Sequence, residues 1–140
     1  MAKILPNRFV NDLIDRQAIG VSIPFSNSGV FHQTYTTADQ TKSNLINYFL
    51  TNKGERILKC NYGGNLRNIL FEQISEETLI VLQQRLKTDI SLKFPIVEVK
   101  SLIVNPQSDL NIINITLIYD VLNLENEVIE INVENSTGTY

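Results

Sequence analysis

The last third of the chain alternates. Ile113, Ile115, Leu117, Tyr119 and Val121 fall on every second position, with Asn114, Thr116 and Asp120 between them. Ile129, Ile131 and Val133 then alternate with Glu130, Asn132 and Glu134. A strand sends successive side chains to opposite faces, so a period of two predicts strands with one apolar face and one wet face. Residues 96–104 are rich in β-branched types and predict a strand before these two. Asn105-Pro106-Gln107-Ser108-Asp109 is expected to be a loop, and a second loop is expected around Asn123–Asn126. The result is a three-stranded antiparallel meander. A one-faced sheet of this kind needs a cover.

Two amphipathic helices can supply it. The first is expected to start near Thr37, where Thr37 and Gln40 stand in capping-box spacing and Asp39 suits the positive helix terminus. Leu45, Ile46, Phe49 and Leu50 form its apolar face. Gly54 is expected to stop it, with Lys53 and Arg56 near its negative end. Asn61-Tyr62-Gly63-Gly64 reads as a turn, and Leu66, Ile69 and Leu70 fit a short helix. Ser75 caps the next helix, with Glu76 and Glu77 in its first turn. Leu79, Leu82, Leu86 and Ile90 make its buried stripe, and Pro95 forbids its continuation. The fold class is therefore α+β, with the meander packed on two main helices. Residues 1–36 form an N-terminal arm punctuated by Pro6, Gly20, Pro24 and Gly29. In it Ile19–Phe25 is a short extended segment that Pro24 confines to an edge, and Phe31 and Tyr35 dock the arm on the body. Residues 37–134 form a single α+β domain, and residues 135–140 a flexible tail.

Composition narrows the function. At 140 residues the chain has the size of one domain. The apolar fraction of 43% fits a packed core rather than disorder. Net charge is −3 with no basic patch, which gives no support to a nucleic-acid role. No apolar run approaches the ~20 residues of a membrane span. The N-terminus lacks the apolar core of a secretion signal. Cys60 is the lone cysteine, so an intramolecular disulfide is impossible, and a reduced, cytosolic setting is compatible.

Catalytic constellations are sparse. Glu55 and Glu72 are the pair of carboxylates to consider for glycosidic cleavage, one acting as acid. The ordinary alternative is framework, with Glu55 paired to a neighbouring arginine and Glu72 bordering a short helix. His32 is the only histidine, with no second ligand nearby for a metal. Cys60 has no local activating base. Gly63-Gly64 lacks a following P-loop pattern. No cofactor and no metal are expected. Arg56 and Arg67 can make planar, bidentate contacts with a partner's carboxylates. Arg67 directly follows the turn and is the better-placed anchor. Sheet edges offer another contact, because unpaired backbone groups accept an added strand. Chain order makes 110–122 the central strand and leaves 96–104 and 127–134 as edges.

The order Gly20…Pro24-Phe25, Asn44-Leu45…Leu50-Thr51-x-x-Gly54-Glu55-Arg56 and Tyr62-Gly63-x-x-Leu66-x-x-x-Leu70-Phe71-Glu72 resembles the small baseplate wedge proteins of contractile phage tails. Related components occur in type VI secretion systems and other contractile injection machines. The likeness spans roughly residues 19–121. It implies a structural protein, not an enzyme. Such a protein joins the wedge core near the tail tube and offers strands that template the first sheath ring. The implied partners are other baseplate wedge proteins, the tail sheath protein and tube or hub proteins, with no nucleic acid and no membrane. The implied location is the virion's tail baseplate, assembled in the host cytoplasm. The family carries a Glu-Pro-Arg tripeptide, associated with wedge docking, where this chain has Phe94-Pro95-Ile96. An apolar contact through Phe94, or a shift to Lys93 or Glu98, would replace it. The expected interface set is Glu55, Arg56, Arg67, Glu72, Phe94 and Pro95. Some family members have carried a lysozyme label, so the alternative function is a peptidoglycan-cleaving, lysozyme-like glycoside hydrolase.

Overall fold

The computed structural model describes residues 17–23, 32–72, 74–121 and 124–134. Pro6, Pro24, Phe25, Gly29, Phe31 and the tail 135–140 lie outside the described residues. Two short strands come first, β1 (Gly20–Val21) and β2 (Gln33–Thr34). They are followed by α1 (Thr37–Leu50), α2 (Leu66–Ile69) and α3 (Glu76–Lys93). The chain then forms β3 (Val97–Gln107), a 3-10 turn at Ser108–Leu110, β4 (Ile112–Val121) and β5 (Leu124–Glu134). The long strands pair antiparallel in the order β3-β4-β5. The α+β meander under two main helices is therefore present, and β4 is its centre.

Alternation explains the core. Ile113, Ile115, Leu117, Tyr119 and Val121 of β4 are all buried, and Ile129, Ile131 and Val133 of β5 join them. Against this face lie Leu45, Tyr48 and Phe49 of α1 and Leu82, Leu86 and Ile90 of α3. Leu66 and Ile69 of α2 complete the apolar layer. Tyr119 is buried, and the negative charges of Glu127 and Asp39 act on its hydroxyl. Burial first, then those charges, pushes its hydroxyl up to about 12.

The opposite face of the sheet is mixed, with Ile103 and Val128 partly exposed among polar and charged residues. Lys100 bridges Asp120 at 3.1 Å and Glu98 at 3.6 Å there. The backbone N–H of Asn126 donates to Asp120 at 2.9 Å. That bond, and then the Lys100 ammonium, hold the Asp120 carboxyl below its ordinary value. Asn126 itself takes a left-handed φ of 57°, which asparagine tolerates better than most residues.

Several boundaries differ from the sequence reading. The cap of α1 is Thr36, not Thr37: its side chain accepts from the Asp39 backbone N–H at 3.3 Å and donates to the Asp39 carboxylate at 2.8 Å. The helix stops at Leu50, before Gly54. Thr51 turns into extended backbone and sends both its N–H and its hydroxyl to the Asn47 carbonyl. No basic residue occupies the last turn of α1, so Lys53 and Arg56 are loop residues. The stretch Asn105-Pro106-Gln107 is strand rather than loop, because its partners Asn114, Ile113 and Ile112 on β4 extend the ladder that far. Likewise β5 already begins at Leu124.

The described part of the N-terminal arm is more ordered than its composition suggests. Gly20 pairs with Thr34 and Val21 with Gln33. Thr34 is buried and donates to the Gln40 side chain, and the Ile23 N–H donates to the Ser43 hydroxyl at 3.2 Å. Tyr35 does not dock this segment, being 50% exposed with its hydroxyl on Gln33. Short hydroxyl side chains make the seam instead, because two-residue strands carry too little apolar surface.

Candidate docking site

The connector between α1 and α2 is built around Gly63 and Gly64. Gly63 has a φ of 121°, and a Cβ there would meet the Thr51 carbonyl oxygen at 2.3 Å. Only glycine can hold that conformation and that approach. The next residue closes the connector onto α1, since the Gly64 N–H donates to the Tyr48 carbonyl at 2.9 Å. The Arg85 guanidinium of α3 then donates to the Gly64 carbonyl at 3.0 Å. The turn is thus bolted to both main helices by polar contacts.

Tyr48 is the hub beneath it. The side chain is fully buried, and its hydroxyl donates to Asp89 at 3.2 Å. Burial, followed by the Asp89 charge and bond, pushes this hydroxyl well above the ordinary tyrosine value. Its ring makes edge contacts with Phe49 at 5.5 Å, Tyr62 at 5.6 Å and Phe94 at 6.0 Å. Aromatic pairs favour this geometry because the positive ring edge meets the negative face. Lys93 joins α3 to the connector, reaching the Asn61 carbonyl at 3.3 Å and Asp89 at 3.8 Å. The Arg56 guanidinium lies 3.9 Å from the centroid of the Tyr62 ring, a cation–π contact. Burial raises the Tyr62 hydroxyl, with Arg56 opposing it.

The six residues expected at an interface therefore divide. Arg56 and Phe94 converge on this aromatic cluster, and exposed Pro95 follows Phe94 directly. Glu55 is exposed in the same loop and accepts from the Asn52 amide at 2.9 Å rather than from an arginine. Arg67 is exposed on α2, with no hydrogen bond or ion pair to another described residue. Glu72 lies elsewhere. It borders a cleft of about 360 Å³ with Leu70, Ile74, Pro106 and Ile112. That cleft sits at the Gln107 end of β3, whereas Phe94 sits just before its Val97 end, roughly 30 Å away along the strand. No described cleft is lined by both Glu55 and Glu72.

Three features escaped sequence reasoning. Tyr48 stands three residues after Leu45 and belongs to the same helical face, so its spacing was a usable signal. The second is the pairing of Lys93, itself named as a possible contact, with Asp89 four residues earlier, the spacing of a helical ion pair. The third is the pair Ile57 and Leu58, which are 92% and 97% exposed at the tip of the connector. Beside them lies a groove of about 480 Å³ between the connector and Phe94. Two adjacent aliphatic residues inside a polar loop were the clue. Among the described residues, no group of His, Cys, Asp or Glu could hold a metal ion, and no helix is long and apolar enough to cross a membrane. Cys60 is an exposed free thiol, and His32 is exposed in the segment leading to β2.

No protein-family model matches the chain, and no curated protein matches it significantly. Solved structures do match. A chain in the six-fold symmetrised cryo-EM structure of the anti-feeding prophage baseplate aligns with a TM-score of 0.57 at 24% identity. The alignment covers 74% of this chain and 84% of that one. A crystal structure from Geobacter sulfurreducens, of a protein named as a tail lysozyme, aligns with a TM-score of 0.56 at 21% identity. It covers 76% of this chain and 100% of that one. At these identities the likeness is one of fold: this chain has the α+β fold of a baseplate component and of a protein named for a tail lysozyme.

Proposed function

We propose that this chain is a structural subunit of a contractile-tail baseplate, docking on a wedge core and templating sheath assembly by strand addition. The observation that carries the reading is the fold shared with the anti-feeding prophage baseplate chain over 84% of that chain. The two open sheet edges support it, because each long outer strand leaves one row of backbone groups unpaired.

The edges are not equivalent. β3 carries three devices that discourage an added strand: an irregular register between Val99 and Ser101, Lys100, and Pro106. β5 pairs regularly from Glu127 to Glu134 and contains neither Lys, Arg nor Pro. It carries Glu125, Glu127, Glu130 and Glu134. β5 is therefore the receiving edge in this reading, and the strand it accepts is basic.

Capture of the cognate sheath and wedge proteins by the purified chain tests the proposal. Binding to neither overturns it. Arg67→Ala sharpens it, because removing an exposed side chain without a described partner should leave stability within ~0.5 kcal/mol. Assembly should nevertheless fall. Normal assembly of this variant removes Arg67 from the interface.

A second reading is favoured by the fold shared with the Geobacter protein and by Glu72 at the rim of a cleft. It is cleavage of peptidoglycan, with Glu72 as the acid. A cell-wall turbidity assay on the wild type and Glu72→Gln decides it. Absence of activity in both removes the reading.

A further inference from the structure

We propose that the connector tip and the Phe94 groove together seat an acidic segment of a neighbouring baseplate chain, one that carries leucine-type side chains between Asp or Glu residues. The inference rests on the baseplate reading and assigns the chemistry of one partner. It concerns the end of the molecule where α3 enters β3, and it uses no strand addition.

The tip is held in place. The Gly54 N–H donates to the Cys60 carbonyl at 2.8 Å, closing the loop. The Lys59 N–H donates to Arg56 and the Tyr62 N–H to Lys59, at 3.3 and 3.0 Å. Ile57 and Leu58 are thus presented to water by a loop bonded to itself and anchored through Tyr62. Burying two adjacent aliphatic side chains that are 92% and 97% exposed gives a partner a hydrophobic anchor at this surface. Leu58 also lines the groove, with Tyr62 and Phe94 as its aromatic wall. That supplies both an apolar projection and an apolar recess.

Charge selects the occupant. The loop carries Lys53, Arg56 and Lys59 against Glu55 alone, and Lys93 stands in the groove wall, paired with Asp89. The chain as a whole is −3, so this corner reverses the prevailing sign. A partner with carboxylates around its apolar anchors is both steered to the corner and held there. A second copy of this chain also carries carboxylates, on β5. That contact would join unlike surfaces head to tail, and would block the edge that strand addition uses.

Cys60 lines the groove, is exposed, and is the chain's single cysteine. Its alkylation by iodoacetamide, read by mass spectrometry, therefore reports whether the groove is covered. The comparison is between the isolated protein and tail particles assembled from co-expressed tail genes. We expect alkylation at least about tenfold slower in particles. We expect Lys53→Glu with Lys59→Glu to restore the fast rate or lower incorporation, and the two Lys→Arg changes to do neither, with circular dichroism confirming each fold. Equal rates in particles and isolated protein overturn the inference while leaving the baseplate reading standing. Protection insensitive to the charge reversal overturns the acidic partner. Protection in the isolated protein that rises with its concentration places a second copy in the groove and overturns it too. Particles lacking the chain altogether overturn the baseplate reading, and this inference with it.

Discussion

The sheet and the connector between α1 and α2 are held together in opposite ways. The sheet is specified by many interchangeable apolar contacts. Along β4 every second residue is buried, and these side chains belong to one apolar cluster with residues of the helices and the neighbouring strands. The connector has few apolar contacts of its own. It is fixed by one glycine conformation, a handful of backbone hydrogen bonds and the side chains of Tyr48, Arg85 and Lys93. The difference teaches where information sits. In the sheet it is spread over a pattern, so no single residue defines the fold although each contributes stability. In the connector it is concentrated, so one position sets the path of fifteen residues while the tip is left free to make contacts.

The comparison can be attacked first in the sheet. Leu117→Ala removes a fully buried side chain at the centre of β4. Chemical denaturation should show a loss of about 2–5 kcal/mol from lost burial and the cavity left behind. A loss under about 1 kcal/mol would mean that the centre of the sheet is loosely packed.

Gly63→Ala comes next. The φ of 121° alone costs a residue with a side chain about 1–3 kcal/mol. The close Thr51 carbonyl adds to that. The expected result is a destabilised protein whose sheet is unchanged by circular dichroism. No change in the midpoint would break the view that this glycine sets the connector.

Tyr48→Phe keeps the ring contacts and removes the bond to Asp89. The loss should be ~1 kcal/mol at neutral pH. Its pH dependence supplies a sharper check. The folded pKa of Tyr48 lies above its unfolded value of 10, so the hydroxyl's contribution is fully present below pH 10 and is lost as pH rises through the folded value. The gap between wild type and variant should therefore narrow above pH 10. A gap that widens there contradicts the buried, neutral hydroxyl.

Leu58→Asp should be the smallest effect. The side chain is almost wholly exposed, so the stability change should stay within ~0.5 kcal/mol. A cost of more than about 2 kcal/mol would show that the tip serves the fold. The contrast with Leu117→Ala, the same residue type in the other region, is the measure of the comparison.

How much could be read beforehand follows the same division. The β4 and β5 alternations, the Ser75 cap and the Leu82–Leu86–Ile90 stripe were legible because each is a local, periodic signal. Boundaries were less legible. Thr36 and Thr37 are equivalent on paper, and only the observed bond to Asp39 separates them. Pro106 argued for a loop, but strand pairing with Ile113 outweighed it. The interface set was legible only as residue types. Glu72 and Phe94 flank the same helix in sequence, yet α3 carries the chain from one end of the sheet to the other.

The sequence by itself determined the α+β class, the one-faced meander and the central place of β4, because side-chain period and chain order require nothing beyond neighbouring residues. Tertiary structure alone decided which charged and aromatic residues share a surface. Tyr48, Tyr62, Lys93 and Phe94 meet only when α1, the connector and α3 are packed together, and no spacing along the chain encodes that meeting. The exposure of Ile57 and Leu58 was decided there too. Whether an aliphatic residue is core or contact depends on what the rest of the chain leaves uncovered.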